Sequence, residues 1–177
     1  MTANRLFDAG IYQVNVMQKF IALVQRYLKD VREIMPWDLE ERLQENPDLL
    51  ILDVREPYEF DVMHIEGSLN VPRGILESAC EWDFEETEPR LVRCRKQEVV
   101  VVCRSGYRSV LAAFSLQMLG YQNVVSLKTG LRGWNEYEQP MVDRNGNPVD
   151  FDDGDDYFAT RLLKSQMKPE GWVDECD

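Results

Sequence analysis

The sequence predicts an α/β protein with a mostly parallel central sheet and helices on both faces. Four short apolar runs, LLILD, SLNVP, EVVVVC and NVVSL, have the length and composition of buried parallel strands. Segments of helical character separate these runs, and strands that alternate with helices form parallel sheets covered on both sides. A chain of 177 residues is long enough for one such domain and some additions.

Helices are predicted before the first of these strands and between them. Apolar side chains recur at helical spacing from Ile11 to Leu28, which predicts an amphipathic helix before the first strand. The favoured interpretation is that this helix packs on its own domain. The alternative is that it contacts a second copy in a homodimer or a protein partner. Pro36 suits the first turn of the next helix, over PWDLEERLQEN. Further helices are predicted over EPYEFDVM, RGILESAC and YRSVLAAFSLQMLGY, the last ending near Gly120.

Composition divides the chain into an N-terminal helical extension (1–30), an α/β domain (31–141) and an acidic C-terminal extension (142–177). From Asp143 onward, ten acidic and four basic residues supply −6 of the net charge of −12. A calcium loop is disfavoured, because Pro148 stands where such a loop needs glycine. The region is therefore interpreted as a solvated acidic extension, with a short helix over DYFATRLLKSQM that lies back on the domain.

The net charge of −12 disfavours binding to nucleic acid or to an anionic membrane, because the electrostatic attraction has the wrong sign. The N-terminal apolar run is interrupted by polar residues and lacks a cleavage site, so a cytoplasmic location is predicted. Four cysteines lie far apart: Cys80, Cys94, Cys103 and Cys176. Neither a metal site, a cofactor nor a disulfide framework is predicted from that spacing.

One cysteine stands in a distinctive place, at the end of the run EVVVVC. Cys103 is followed by Arg104, Gly106 and Arg108, and then by a helix. Backbone N–H groups in such a loop, the N-terminus of the helix and the two guanidinium groups all favour thiolate over thiol. Burial alone accounts for Cys80 and Cys94. The pattern around Cys103 predicts a reactive nucleophile.

Three motifs together resemble the rhodanese-like sulfurtransferases, in their single-domain form. LLILDVREPYEFDVMHIEGSLNVP (49–72) is similar to the family's N-terminal signature, LKTGLRGW (127–134) to its C-terminal one, and CRSGYRS to its active-site loop. The resemblance covers about residues 31–140. Met63 departs from the family, which usually has glycine there, and an altered loop conformation without effect on the chemistry is expected.

The resemblance implies that Cys103 accepts a sulfane sulfur from thiosulfate or a similar donor and passes it to a thiophilic acceptor. Phosphatases that share this fold use Cys-x5-Arg, whereas Arg108 lies five positions after Cys103, giving Cys-x4-Arg. The shorter loop favours sulfur transfer over a phosphatase or arsenate reductase. Arg104 and Arg108 are expected to bind the sulfonate or fix the loop. The predicted substrate-binding residues are Arg104, Ser105, Gly106, Tyr107 and Arg108.

Supporting roles are predicted for four further residues. Asp53 and Arg55 are expected to form a structural ion pair or stabilise a turn, at least as readily as to take part in chemistry. Ser109 is expected to cap the helix, and Trp134 to pack beneath the loop. His64 is not assigned a catalytic role, because a thiolate needs no general base.

The predicted partners are a small-molecule sulfur donor and a thiol or a protein cysteine as acceptor. A persulfide carrier that works only with a protein partner remains open, as does a protein-binding module with little activity of its own. In the carrier alternative Cys176 would accept sulfur or resolve the persulfide, although an inert cysteine in the tail is the favoured interpretation.

Overall fold

The computed structural model describes residues 19–173. Five strands form its sheet: β1 (Arg32–Ile34), β2 (Leu50–Asp53), β3 (Leu69–Asn70), β4 (Glu98–Val102) and β5 (Asn123–Leu127). Its α-helices are α1 (Phe20–Tyr27), α2 (Pro36–Glu45), α3 (Pro57–Val62), α4 (Leu76–Ala79), α5 (Pro89–Arg93), α6 (Tyr107–Met118), α7 (Gly130–Glu136) and α8 (Phe151–Phe158). Short 3₁₀ turns lie at Arg73–Ile75 and Lys164–Gln166.

The sheet has the order β1-β5-β4-β2-β3, and every pair of neighbouring strands is parallel. The four predicted strands are confirmed as β2 to β5. The strand β1 is an addition that the sequence pattern does not predict, because three residues are too short a run to show a period. The central strand β4 pairs with both β2 and β5, and its carboxyl end leads directly into Cys103.

Alternate residues of β2 and β4 belong to two hydrophobic clusters, one on each face of the sheet. One cluster joins Leu52 and Val101 to side chains of α1, α4, α5 and α6. The other joins Ile51 and Val100 to side chains of α2, α7 and α8. The predicted architecture, a parallel sheet covered by helices on both faces, is therefore confirmed.

The N-terminal helix is shorter in the described part of the chain than the predicted span. Helix α1 covers Phe20–Tyr27 and packs on α6, with the rings of Tyr27 and Phe114 4.3 Å apart. The predicted helical positions from Ile11 to Met17 lie outside the described residues.

The C-terminal end of α6 lies just before Gly120, whose φ of +89° suits a helix terminus, as expected.

The C-terminal extension corrects one prediction, the position of its helix. The helix lies at Phe151–Phe158, within the aspartate-rich stretch, rather than over DYFATRLLKSQM. Asp150 caps it by accepting a hydrogen bond from the N–H of Asp152, so an Asp-rich start suits a helix. The aspartates of this helix are exposed, as a solvated acidic segment requires, whereas Phe158 at its end is buried in the cluster that includes side chains of α2 and α7. The three-region division of the chain itself stays a prediction.

One antiparallel bridge ties the beginning of this extension to the domain, and a second lies within the extension. His64 and Val142 exchange backbone hydrogen bonds of 2.9 Å in both directions, and Val142 is also bridged to Pro148. No helix between residues 19 and 173 is long and apolar enough to cross a bilayer.

Candidate active site

The loop after β4 turns its backbone N–H groups towards the sulfur of Cys103. The N–H groups of Gly106 and Ser109 donate to Cys103 Sγ over 3.2 and 3.3 Å. Gly106 has a φ of +90°, and a Cβ there would lie 3.1 Å from the backbone nitrogen of Thr129. Only glycine meets both conditions without strain, so Gly106 makes the turn that aims the N–H groups inward.

Ser109 does not cap α6, and this corrects the sequence-based expectation. Gly106 is the N-cap residue, and Ser109 is the third residue of the helix. The Ser109 hydroxyl donates to the carbonyl of Gly106 over 2.9 Å and accepts a hydrogen bond from Ser126. Its oxygen also lies 3.4 Å from Cys103 Sγ. Ser109 therefore joins the sulfur to a buried polar network instead of closing the helix end.

The start of α7 supports the cysteine loop from the other side. The N–H of Leu131 donates to the carbonyl of Cys103 over 2.8 Å, and the N–H of Arg132 donates to that of Arg104 over 3.0 Å. Gly130 has a φ of +60°, and a Cβ there would lie 2.4 Å from the oxygen of Cys103. Sequence reasoning missed Gly130, although the glycine within the KTGLRG motif was a visible signal.

Arg108 is held by a carboxylate that the sequence analysis also missed. Its guanidinium donates to both oxygens of Glu59, over 2.6 and 2.8 Å. Burial raises the pKa of the Glu59 carboxyl, but hydrogen bonds and charge from Arg108 outweigh it and leave that pKa lowered. The same hydrogen bonds raise the pKa of Arg108. The pair fixes the end of the loop and leaves little net charge there.

Asp53 and Arg55 form a fully buried ion pair, as the structural interpretation expected. Arg55 donates from Nε to both Asp53 oxygens over 3.0 Å, and from a terminal nitrogen over 2.7 Å. The remaining guanidinium donors reach the carbonyls of Glu59 and Met63. Both side chains have no exposed surface. These contacts hold the segment from β2 to α3 in place.

Arg104 points its guanidinium at the C-terminal extension. It donates to the carbonyls of Tyr157, Phe158 and Ala159 over 3.2, 3.0 and 3.3 Å. Its central carbon also lies 5.5 Å from the centres of the Tyr157 and Phe158 rings. A cation at the last carbonyls of α8 satisfies acceptors that a helix leaves unpaired. The residue next to Cys103 therefore joins the cysteine loop to α8.

Helix α8 is also fastened to α7, so the loop and both helices form one packed unit. The Asn135 amide donates to the carbonyl of Phe151 over 3.1 Å and to the Asp155 carboxylate over 2.7 Å. A Cβ on Gly154 would lie 2.1 Å from the Asn135 oxygen, so the helices meet closely at this point. Sequence reasoning gave no sign of this contact, because Asn135 and Gly154 carry no recognisable pattern.

The remaining predicted residues lie around this unit. Tyr107 is exposed on the rim, where Phe20 of α1 meets its ring edge-on at 5.8 Å. Ser105 is half-buried in the loop. Trp134 is buried in the cluster on the α7 face, and its Nε1 donates to the carbonyl of Pro140 over 3.1 Å. The ring of His64 stacks on that of Phe60, with the ring centres 3.8 Å apart, and its Nδ1 forms a hydrogen bond with the backbone carbonyl of Phe60.

Met63 and the other cysteines have structural surroundings. Met63 is buried, and its φ of −164° is ordinary extended backbone, so the departure from glycine adds core packing and requires no special loop. Burial raises the pKa of Cys80, and it raises that of Cys94 to about 11. Cys176 lies outside the described residues. Among residues 19–173, no group of His, Cys, Asp and Glu side chains has a metal-binding arrangement.

In this chain the central strand of a parallel sheet ends in a cysteine that loop N–H groups hold. These features place it in the class of α/β domains with a cysteine in a strand-to-helix loop. Within that class, the family model of the rhodanese-like domain matches residues 35–137. That match covers more than half of the chain, which therefore belongs to the rhodanese-like sulfurtransferase family.

Individual relatives agree with this assignment. The probable adenylyltransferase/sulfurtransferase MoeZ of Mycobacterium tuberculosis is 30% identical over 107 residues, which are 60% of this chain and 25% of MoeZ. This chain thus corresponds to a quarter of that relative's length. A sulfurtransferase of Allochromatium vinosum is 30% identical over 66% of this chain and 99% of that protein. The polysulfide-sulfur transferase homodimer of Wolinella succinogenes matches with a TM-score of 0.54 and 30% identity, over 71% of this chain and 88% of that one.

Proposed function

We propose that the protein is a sulfurtransferase that moves a sulfane sulfur from thiosulfate or a similar donor to a thiophilic acceptor through a persulfide on Cys103. The observation that carries this proposal is the pair of N–H groups, from Gly106 and Ser109, that converge on Cys103 Sγ. Such donors stabilise a thiolate before the reaction and a negatively charged terminal sulfur after it.

In the first half-reaction the Cys103 thiolate attacks the outer sulfur of the donor. A sulfur–sulfur bond forms on Cys103, the donor's own bond to that sulfur breaks, and the leaving group departs with the electron pair, as sulfite when thiosulfate reacts. In the second half-reaction a thiolate or cyanide attacks the terminal sulfur and regenerates the Cys103 thiolate. Two such half-reactions give ping-pong kinetics.

Loop rigidity supports this cycle. The carbonyls of Cys103 and Arg104 are fixed on the N-terminus of α7, and Arg108 is fixed on Glu59. A loop that is held at both ends keeps its N–H groups directed at one point. These groups are therefore already oriented before each transfer, and no free energy is spent on ordering them.

The test is intact-protein mass spectrometry after brief exposure to a sulfur donor. The wild type and a Cys94→Ser variant are expected to gain one sulfur, about 32 Da, and to lose it on addition of cyanide. Cys103→Ser is expected to gain nothing. A cyanide-labile adduct that persists in Cys103→Ser, or its absence with every donor tried, would refute the proposal.

The alternative function is a persulfide carrier or protein-binding module with little free-standing turnover. A relative from Bacillus subtilis, 29% identical over 59% of this chain, is a putative sulfur carrier protein. The burial of Cys103, which is 1% exposed, also suits transfer to a docked partner. Fast formation of the persulfide with slow release to small thiols would favour this alternative. Replacing Cys176 with Ser tests its part: unchanged turnover and persulfide lifetime would remove it.

A further inference from the structure

We infer that, within the donors of the proposed function, the site favours a persulfide carried by an uncharged or cationic organic group over the thiosulfate dianion. This inference depends on the Cys103 persulfide route and concerns which donors feed it. The basis is that the guanidinium groups expected to hold a sulfonate are already held by protein acceptors.

Arg104 is the first arginine whose guanidinium is already held by protein acceptors. Three consecutive carbonyls at the end of α8 accept its hydrogen bonds, and the centres of two aromatic rings lie 5.5 Å from its central carbon. Reaching a sulfonate beside Cys103 would break these contacts and uncap α8. Two of these hydrogen bonds are partly buried and the third is exposed, and the cost of losing the partly buried ones opposes that movement.

Arg108, the second arginine expected to hold a sulfonate, donates to both oxygens of Glu59. Arg55, which was expected to be structural, donates to both oxygens of Asp53 and offers no free charge to the site either. Each carboxylate cancels most of the positive charge that its arginine would offer to an anion. Glu59 and Asp53 are both buried, so these pairs are screened less by solvent than surface pairs are.

The surroundings add negative charge. A cleft of about 630 Å³ lies between α3 and α8, and its charged lining is net negative, with one arginine, Arg161, against four aspartates: Asp143, Asp150, Asp153 and Asp156. Tyr157, whose carbonyl holds Arg104, lines the same cleft. With a net charge of −12 on the chain, the local field repels a dianion that approaches from this side.

The loop itself is built for the transferred sulfur and not for the leaving group. Its two N–H donors end at Cys103 Sγ, the atom from which a persulfide extends. This contact is the same for every sulfane donor, so it gives thiosulfate no advantage. Discrimination between donors therefore follows from the charge of the group that leaves.

The experiment compares two donors that carry the same outer sulfur: thiosulfate, with two negative charges, and methanethiosulfonate, with one. Their leaving groups are sulfite and methanesulfinate, and the rate of Cys103 persulfide formation is followed by intact mass. In the wild type, raising the ionic strength from about 20 to about 500 mM is expected to accelerate the thiosulfate reaction more than the methanethiosulfonate one, because salt screens repulsion. Persulfidated cysteamine carries an ammonium group and an ionised persulfide near pH 7 and so has no net charge, and its rate is expected to change least with salt.

Glu59→Gln supplies the matched variant, because it removes one charge and retains a hydrogen-bonding oxygen for Arg108. The methanethiosulfonate rate is expected to rise by up to about fivefold and the thiosulfate rate by more, since two unit charges about 4 Å apart in water interact with about 1 kcal/mol and thiosulfate carries two charges. Glu136→Gln is the control, because Glu136 forms an exposed pair with Arg132 and no contact with Cys103. It should change neither rate.

The outcomes separate the two proposals. If no donor forms the adduct, the sulfurtransferase proposal fails. If thiosulfate forms it with a rate that falls as salt rises, the site attracts the dianion and only the donor inference is overturned. The salt dependence is measured on the wild type, so a poorly folded Glu59→Gln protein would leave this test intact.

Discussion

Replacing Gly130 with alanine tests whether the start of α7 sets the position of the cysteine loop. A Cβ at this position would lie 2.4 Å from the oxygen of Cys103 and 2.6 Å from the nitrogen of Ser105. Both neighbours are backbone, so the loop itself must move. The positive φ costs alanine about 1–2 kcal/mol, and overpacking adds about 1–3 kcal/mol, which gives about 2–5 kcal/mol in total.

Gly120→Ala is the control, because Gly120 has a φ of +89° but no atom within 4 Å of its added Cβ. It should lose only the conformational part, about 1–2 kcal/mol. Denaturant unfolding measures both losses, and persulfide formation on Cys103 measures the effect on the site. Gly130→Ala should lose sulfur transfer even under conditions where it is folded. Equal losses of stability in the two variants, or full activity in Gly130→Ala, would refute the reasoning.

Three further predictions concern the charged groups. Asp53→Ala leaves Arg55 buried without its counter-charge, so unfolding experiments should show a loss of about 3–5 kcal/mol. The lowered pKa of Glu59 means that its pairing with Arg108 stabilises the fold above the ordinary value of 4.5 and is lost as pH falls through the lower folded-state value. In Glu59→Gln the free energy of unfolding should therefore fall less steeply as pH is lowered below 4.5. An unchanged dependence on pH would contradict this. Arg104→Ala should speed hydrogen exchange of α8 while β4 stays protected; unchanged exchange would mean that the guanidinium does not hold the helix.

The sheet was largely predictable, because its strands are continuous apolar runs that fully buried parallel strands require. β1 and α5 were not, since three and five residues are too few to show a period. Helix α8 was placed too late in the chain, because its aspartates resemble a solvated segment. Their fit to a helix depends on Phe158 and Gly154 meeting α7, which only the tertiary structure supplies.

The site was predictable where local chemistry specifies it and not where distant residues complete it. Cys103 and Gly106 lie within one loop, and their roles follow from its sequence. The partner of Arg108 is 49 residues away in the chain, and the carbonyl partners of Arg104 are 53 to 55 residues away. Nothing in the loop distinguishes an arginine that meets substrate from one that meets protein.

The strand order also has a consequence for how the protein folds during synthesis. Among the strands of residues 19–173, β1 is made first and pairs only with β5, so Arg32 has no strand partner there until Val125 has been synthesised. Val125 comes 93 positions after Arg32, and such distant pairings slow folding. The strand β5 also follows β4 by twenty residues, so β2 and β4 are available to each other before β5 is made. Until β5 has emerged, the edge of β4 that β5 later covers is open to other chains. We expect this interval to be the one in which a nascent chain most needs protection from aggregation.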